Sequence, residues 1–466
     1  MTHGAKFFKE FWPEFSGIPG LAFALVLLLP GAGFACALPP SVILTLPTGH
    51  YITAAALTVA LTGLLGAMAH RLPVMAPRLV HERRAILPET LTSYVAFLAF
   101  LGLVFVGLFG ERDPMHNLMT LVFWTGVWIA VPLASMLFGN LWRIMNPWTG
   151  PVRMARLLLG RTGSFGLDRL DHWPAVLGYA GFVWFQMVSL YPDDPAVLAQ
   201  LALGYWLVIF VLAVLEGEDW LPKGEFLTLL FSLIARVAPL WQETSAGRAR
   251  LYLGWPGTQV LSLPPLTPSA VVFVSLALAA LTFDGLSETF WWQALIGQNP
   301  LEPVGRSAVI GVNSVGLLAA WVATLGLILA AIALGRWIGG GFATGPVMLS
   351  FLAIAAGYHA AHYVVMLLTA GQYTLAALND PFLQGESWLG LPPYFVSFGF
   401  LTDPGVMPWI YGAQFAAILG AHLLAVVLGL KLAGHDAKPL AHLPMTVLMV
   451  LYTVLGLWLL STARTG

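Results

Sequence analysis

From Ser307 to Leu334 the chain reads SAVIGVNSVGLLAAWVATLGLILAAIAL, 28 residues without an Asp, Glu, Lys or Arg. A helix rises about 1.5 Å per residue and the hydrocarbon core of a bilayer is about 30 Å thick, so roughly 20 apolar residues suffice to cross it. The run is continuous and rich in Leu and Ala, without the period-two alternation of a membrane strand. Ten other stretches read the same way: Gly17 to Cys36, Tyr51 to Ala69, Leu91 to Phe109, Leu118 to Phe138, Pro174 to Leu190, Val197 to Leu215, Ala270 to Thr289, Pro346 to Leu368, Trp409 to Leu430 and Met445 to Leu460. The predicted fold class is all-α, a polytopic transmembrane helical bundle of eleven spans forming a single integral membrane domain over residues 1–466.

Composition agrees. Of 466 residues 58% are hydrophobic and 9% charged, against about 25% charged in a soluble domain. A soluble globular protein is excluded, and the lipid bilayer is the expected partner. With 21 basic and 22 acidic residues no net field attracts nucleic acid, which is not an expected partner. The single cysteine, Cys36, supports neither a disulfide framework nor a thiolate metal site, so any metal must be held by His, Asp or Glu.

Orientation follows from the retention of Lys and Arg on the cytoplasmic side. With the N-terminus inside, 18 of the 21 basic residues fall in cytoplasmic loops and only Arg112, Arg306 and Arg464 fall opposite. This places the N-terminus in the cytoplasm, the C-terminus in the periplasm, and the protein in a bacterial cytoplasmic (inner) membrane. Lys6 and Lys9 before an apolar run ending Ala35-Cys36-Ala37 also resemble a cleaved signal peptide, but Glu10 and Glu14 spoil its basic leader. An uncleaved first helix is expected.

Two cytoplasmic loops, 140–172 and 218–269, contain segments suited to the membrane interface. In the first, Pro151, Arg153 and Arg156 beside Trp142 and Trp148 predict a short helix in the headgroup layer, where its basic face meets anionic lipid or simply anchors the preceding span. In the second, Phe226 to Ile234 is apolar but too short to span, and reads as interfacial or re-entrant. The external loop 371–407 has no Lys or Arg, three acids (Asp380, Glu386, Asp403) and seven aromatics, including Tyr373, Phe382, Trp388, Tyr394 and Phe398. It reads as a lid over an outward-facing site or as an aromatic pad on the outer interface.

Ionisable groups inside a span are costly and mark functional sites by default. Tyr358-His359-Ala360-Ala361-His362-Tyr363 puts two imidazoles on one face of the ninth span, and His422 lies on the tenth. Asp284 and Glu288 share a face of the seventh, and Asn313 and Ser314 add neutral polar groups on the eighth. By helical rise Asp284, His359 and His362 lie roughly 20–24 Å above the inner edge and His422 roughly 10 Å. The candidate metal ligands are therefore His359, His362, His422 and Asp284, with Asn313, Tyr358 and Tyr363 as supporting polar groups. Such nitrogen and carboxylate donors suit a divalent metal, zinc, copper or iron. Proton binding, haem held by His422 with His359 or His362, and plain interhelical hydrogen bonding are the other readings. Phosphate-loop, nucleophile-elbow and H-E-x-x-H motifs are absent.

Several stretches in order, Asn140-Leu141-Trp142-Arg143 with Asn146-Pro147-Trp148, Thr282-Phe283-Asp284-Gly285-Leu286-Ser287-Glu288, Ala361-His362-Tyr363, Gly420-Ala421-His422 and Leu455-Gly456-Leu457-Trp458-Leu459-Leu460-Ser461, resemble bacterial polytopic membrane proteins labelled fenitrothion hydrolase. The resemblance runs from about Leu46 to the C-terminus. It implies a similar fold and hydrolysis of organophosphate esters, with Asp284, Glu288, His362 and His422 as the shared polar positions; His359 has no counterpart in the pattern. Such chemistry would use a metal held by His and Asp to lower the pKa of bound water towards about 7, with Glu288 as general base.

Three functions follow as expectations. The first is a carrier that handles a metal ion, proton or small solute through an outward-facing polar cavity. The second is a membrane-embedded metal-dependent phosphotriester hydrolase. The third is the membrane subunit of a redox or periplasmic enzyme complex, docking a periplasmic or membrane protein partner.

Overall fold

The computed structural model of the protein describes residues 48–68, 75–84, 89–245, 247–299, 305–381, 384–392, 395–433 and 437–462. The predicted first span, Gly17 to Cys36, lies outside them. Twelve helices carry the architecture: α1 (Thr48–Met68), α2 (Glu89–Phe109), α3 (Leu118–Phe138), α4 (Thr149–Leu158), α5 (Trp173–Val188), α6 (Pro195–Glu216), α7 (Phe226–Ile234), α8 (Pro268–Ser287), α9 (Arg306–Gly339), α10 (Phe351–Asn379), α11 (Met407–Leu432) and α12 (Leu443–Ser461). Among the described residues nine, all but α4, α5 and α7, are long and apolar enough to cross a membrane.

The predicted fifth span is α5, whose 16 residues reach roughly 24 Å. Its beginning is tied to one end of the bundle, where His172 N donates to Ser269 Oγ at 3.1 Å and Lys223 pairs with Asp168 at 3.0 Å. At the far end Arg306 donates to the Gln186 and Ser189 carbonyls at 3.1 and 3.2 Å. There it satisfies acceptors that the helix terminus leaves without an intrahelical partner. The helix thus reaches from beside the start of α8 to beside the start of α9.

Sequence signals at the helix starts match the backbone. Thr267, Asp194 and Asn117 cap α8, α6 and α3 with side-chain oxygens, and Pro268 and Pro195 occupy the first helical position, where no N–H is needed. Leu98, Phe105, Leu177, Val208, Val315 and Val322 face outward and are exposed. So much outward apolar surface suits a hydrocarbon surrounding and would aggregate in water. The core helix is α8, with 78% of its apolar window buried, packed against α5, α9, α10 and α12.

The loops predicted on the basic side come together at one end. Arg143 pairs with Glu89 at 2.7 Å, and Arg153 pairs with Glu218 at 2.6 Å while donating to Thr90. The same end carries a small antiparallel sheet that the apolar pattern does not announce, β1 (Arg78–Arg84), β2 (Leu240–Ser245) and β3 (Arg248–Leu253), in the order β1-β3-β2. Strands β2 and β3 form a hairpin whose turn includes Gly247 at φ 72°, a left-handed conformation that favours glycine. At the other end Arg112 pairs with Asp194 at 3.3 Å. Two of the three basic residues predicted on the sparse side, Arg112 and Arg306, are therefore engaged in fixing helix ends; Arg464 lies outside the described residues.

Helix α4 forms where a headgroup-layer helix is predicted; its Arg153 stays exposed, while Arg156 and, just beyond the helix, Arg161 turn towards the end of α6. Arg156 donates to the Val214 carbonyl at 2.8 Å and Arg161 to that of Leu215 at 3.1 Å, closing the last turn of α6. Leu157, Leu158 and Leu159 are left exposed. Helix α7 is apolar on every face and accordingly lies inside the protein, with eight of nine residues buried. The external loop is shorter than predicted because α10 continues to Asn379. Asn379 Oδ1 then accepts from Leu389 N at 2.9 Å, and Gln372 exchanges two hydrogen bonds with Ser397, folding the loop back onto α10. Phe382 and Tyr394 lie outside the described residues.

Candidate functional site

Three helices bring polar groups to one point. Asp284 stands in the last turn of α8, His362 and Tyr363 in the middle of α10, and Gln186 near the end of α5. His362 Nε2 lies 3.0 Å from Asp284 Oδ2, and the Tyr363 hydroxyl donates to the same oxygen at 2.8 Å. Gln186 Nε2 in turn donates to the Tyr363 oxygen at 3.1 Å. The His362 and Asp284 side chains retain only 8% and 15% of their exposure, so the pair is largely removed from solvent.

An aromatic wall surrounds the cluster. The Tyr358 ring stacks on that of His362, with centroids 6.1 Å apart and planes at 14°. Trp128 meets Tyr363 and His359 edge to face. It belongs to the central stretch of α3, Val122–Ala130, which is wound as a π-helix. Such wide turns are rare and frequent at functional sites. With Asp284 ionised, both neighbours donate to it; with the proton on Asp284, His362 becomes the acceptor. The 3.0 Å contact fits a hydrogen on either partner.

The predicted ligand set does not converge. His359 is buried and its Nε2 lies 3.1 Å from the Trp128 carbonyl, which can only accept, so that nitrogen donates there. His422 Nδ1 lies 2.8 Å from the Ile418 carbonyl one turn back on its own helix. A spacing of three residues places two side chains on one face, but each imidazole has been drawn to a different neighbour. Among the described residues no group of three or more His, Cys, Asp or Glu is placed to hold a metal ion. Asp284 and His362 are joined to each other, and they supply two of the three or four protein ligands that zinc sites use.

The remaining predicted positions separate. Tyr363, expected as a supporting group, touches Asp284 directly, and Tyr358 supports His362 through its ring. Asn313 is elsewhere: its Oδ1 accepts from Trp292 Nε1 at 3.0 Å, pinning the segment after α8 against α9. Glu288 is the C-cap of α8, one turn beyond Asp284. Sequence reading overlooked Gln186, although it is the single amide within an otherwise apolar span. It also overlooked Trp128, which nothing distinguishes from the other 17 tryptophans.

A second polar centre was not anticipated at all. Glu225, fully buried, caps α7 and accepts from Leu227 N, Thr228 N, Thr228 Oγ1 and the Tyr205 hydroxyl at 2.6–2.9 Å. Thr228 Oγ1 also accepts from Trp142 Nε1 and Asn146 Nδ2 at 3.1 and 3.0 Å. Asn146 Oδ1 accepts from Trp148 N at 2.9 Å. Four donors on two oxygens satisfy a carboxylate; this centre holds the fold and has no acceptor left to offer a ligand. Searches of protein-family models, of curated proteins and of solved structures find no match to this chain.

Proposed function

We propose that the protein is a carrier of a bacterial cytoplasmic membrane, oriented with its N-terminus inside, whose Asp284, His362 and Tyr363 bind and release a proton as a small solute passes. The observation that carries this reading is the 3.0 Å pairing of two ionisable side chains that helices α8 and α10 bury together. Groups of this kind inside a membrane bundle typically serve proton or ion pathways. Burying a lone charge is costly, so moving a proton onto or off the pair changes the energy of the closed bundle and can be linked to a change of access.

The charge asymmetry of the loops supports the orientation. In that orientation α8 begins at the inner side, and Asp284, 16 residues beyond Pro268, stands roughly 24 Å along it. The site then belongs to the outer half of the bilayer.

The test does not require the solute. Proteoliposomes adsorbed on a supported membrane are subjected to a rapid pH change, and the displaced charge is recorded. Wild-type protein is expected to give a transient current that Asp284→Asn abolishes and His362→Gln reduces. Equal currents in all three remove the reading. Hydrolysis of an aryl phosphotriester by the purified protein, lost in Asp284→Asn and in Glu288→Gln, would replace it with the hydrolytic one.

A further inference from the structure

His422 has a nitrogen for which the protein supplies no partner. Its Nδ1 faces the Ile418 carbonyl at 2.8 Å; a carbonyl only accepts, so Nδ1 carries the hydrogen and Nε2 of the neutral ring carries a lone pair. That Nε2 is buried without a hydrogen-bond partner, on a residue 1% exposed. An acceptor stranded this way is rare in folded proteins and calls for an explanation. The ring borders a cavity between α8, α10, α11 and α12, whose polar walls are Thr282, Tyr358, His422 and Tyr452.

The cavity has room for about one water molecule. Thr282 Oγ1 already donates to the Leu278 carbonyl at 2.8 Å, and the Tyr452 hydroxyl donates to Thr324 Oγ1 at 3.1 Å. Each oxygen can still accept. The cavity therefore presents acceptors, and what it needs is a small molecule with two donors. We propose that it is a water site: one molecule donates to His422 Nε2 and, with its second hydrogen, to the oxygen of Thr282 or Tyr452. An ammonium or hydroxonium ion would bring a net charge that no acidic side chain on the cavity wall offsets. A dry cavity would leave the imidazole acceptor unpaired in the interior.

The site adjoins the Asp284 cluster through Tyr358. That ring stacks on His362 and lines the cavity, and its hydroxyl oxygen lies 2.9 Å from where a Cβ on Gly285 would stand. The water assignment does not depend on the carrier reading. It rests only on the tautomer, the burial and the cavity.

A structure of the full-length protein in nanodiscs, at a resolution that shows ordered water, tests it. Density at hydrogen-bonding distance from both His422 Nε2 and a hydroxyl of Thr282 or Tyr452 is expected; an empty cavity in a well-ordered map overturns the proposal. The second measurement reads the ring nitrogen by ¹⁵N-histidine magnetic resonance in wild type and Gly456→Ala. Gly456 lines the same cavity, and its added methyl would meet the Tyr358 ring at 3.3 Å and Ile418 at 3.7 Å as its nearest neighbours. Loss of the water should move the Nε2 resonance towards that of a free acceptor. An unchanged resonance in a folded Gly456→Ala protein that lacks the water density contradicts the site.

Discussion

The hydroxyl of Tyr363 and the ring of His362, neighbours on α10, meet the same carboxylate oxygen of Asp284 at 2.8 and 3.0 Å. Consecutive helical residues point about 100° apart, so this convergence requires α8 to sit in the angle between them. Tyr363→Phe removes one donor and leaves the ring in place. Interhelical hydrogen bonds in membranes average about 0.6 kcal/mol and reach about 1.7, so a loss of this size is expected in thermal or denaturant unfolding. The pH-jump current should persist with a shifted pH dependence. If Tyr363→Phe leaves both stability and pH dependence unchanged, the hydroxyl is not part of the cluster.

Gly357 sets the distance between α10 and α11. A Cβ there would lie 2.3 Å from the Ala421 Cβ and 2.7 Å from the Ala417 carbonyl oxygen. Glycine facing two alanines four residues apart is the small-residue contact by which membrane helices approach closely. Gly357→Ala should cost about 1–3 kcal/mol by overpacking. Ala421→Gly in the same protein should restore part of it, because the side-chain clash goes and the backbone one stays. Equal stability of Gly357→Ala and wild type would mean the two helices are not in this contact.

Removal of Glu225 has a different signature. Glu225→Ala strands the Tyr205 and Thr228 hydroxyls and two backbone N–H groups in the interior, at about 1–3 kcal/mol for each group left unsatisfied. Glu225→Gln keeps one acceptor oxygen and should cost less. The comparison is made by thermal unfolding in detergent. A Gln variant as unstable as the Ala variant would show that the charge, rather than the count of hydrogen bonds, holds this centre.

The strand pairing of β1 should weaken in acid. The Arg248 guanidinium donates to Glu82 at 3.0 Å and, with Arg250 nearby, holds its carboxyl below the usual carboxylate range. A depressed carboxylate stabilises the fold above its unfolded pKa and ceases to do so as pH falls through the folded value. The pair is exposed, so the effect is small. In Glu82→Gln, which mimics the acid form at neutral pH, amide exchange over Arg78–Arg84 should be modestly faster. Unchanged exchange would show that Glu82 does not hold the edge strand.

The bundle was legible because a membrane span is a statement about length and hydrophobicity, which one sequence carries in full. All predicted spans from Tyr51 onward within the described residues are helices, with α5 shorter than the rest. Asp284 and His362 were legible for the same reason: an ionisable group stands out in an apolar run. Their partners were less so. Whether His359 or His362 meets Asp284 depends on the rotation of α10 about its axis, and that is set by contacts such as Gly357 with Ala421, which are not local in sequence. The β1–β3 pairing joins residues about 170 positions apart, and its strands are too polar to appear in an apolar scan. Glu225 lies in a loop by hydropathy, and only the burial of α7 turns it into an interior cap.

The central claim, that Asp284 and His362 share a proton within the bundle, is tested most directly by pH-difference infrared spectroscopy of the full-length protein in lipid. A carboxylic acid band is predicted to appear as the pH is lowered, to vanish in Asp284→Asn, and to shift in His362→Gln and Tyr363→Phe. A difference spectrum that is the same in wild type and Asp284→Asn would contradict it.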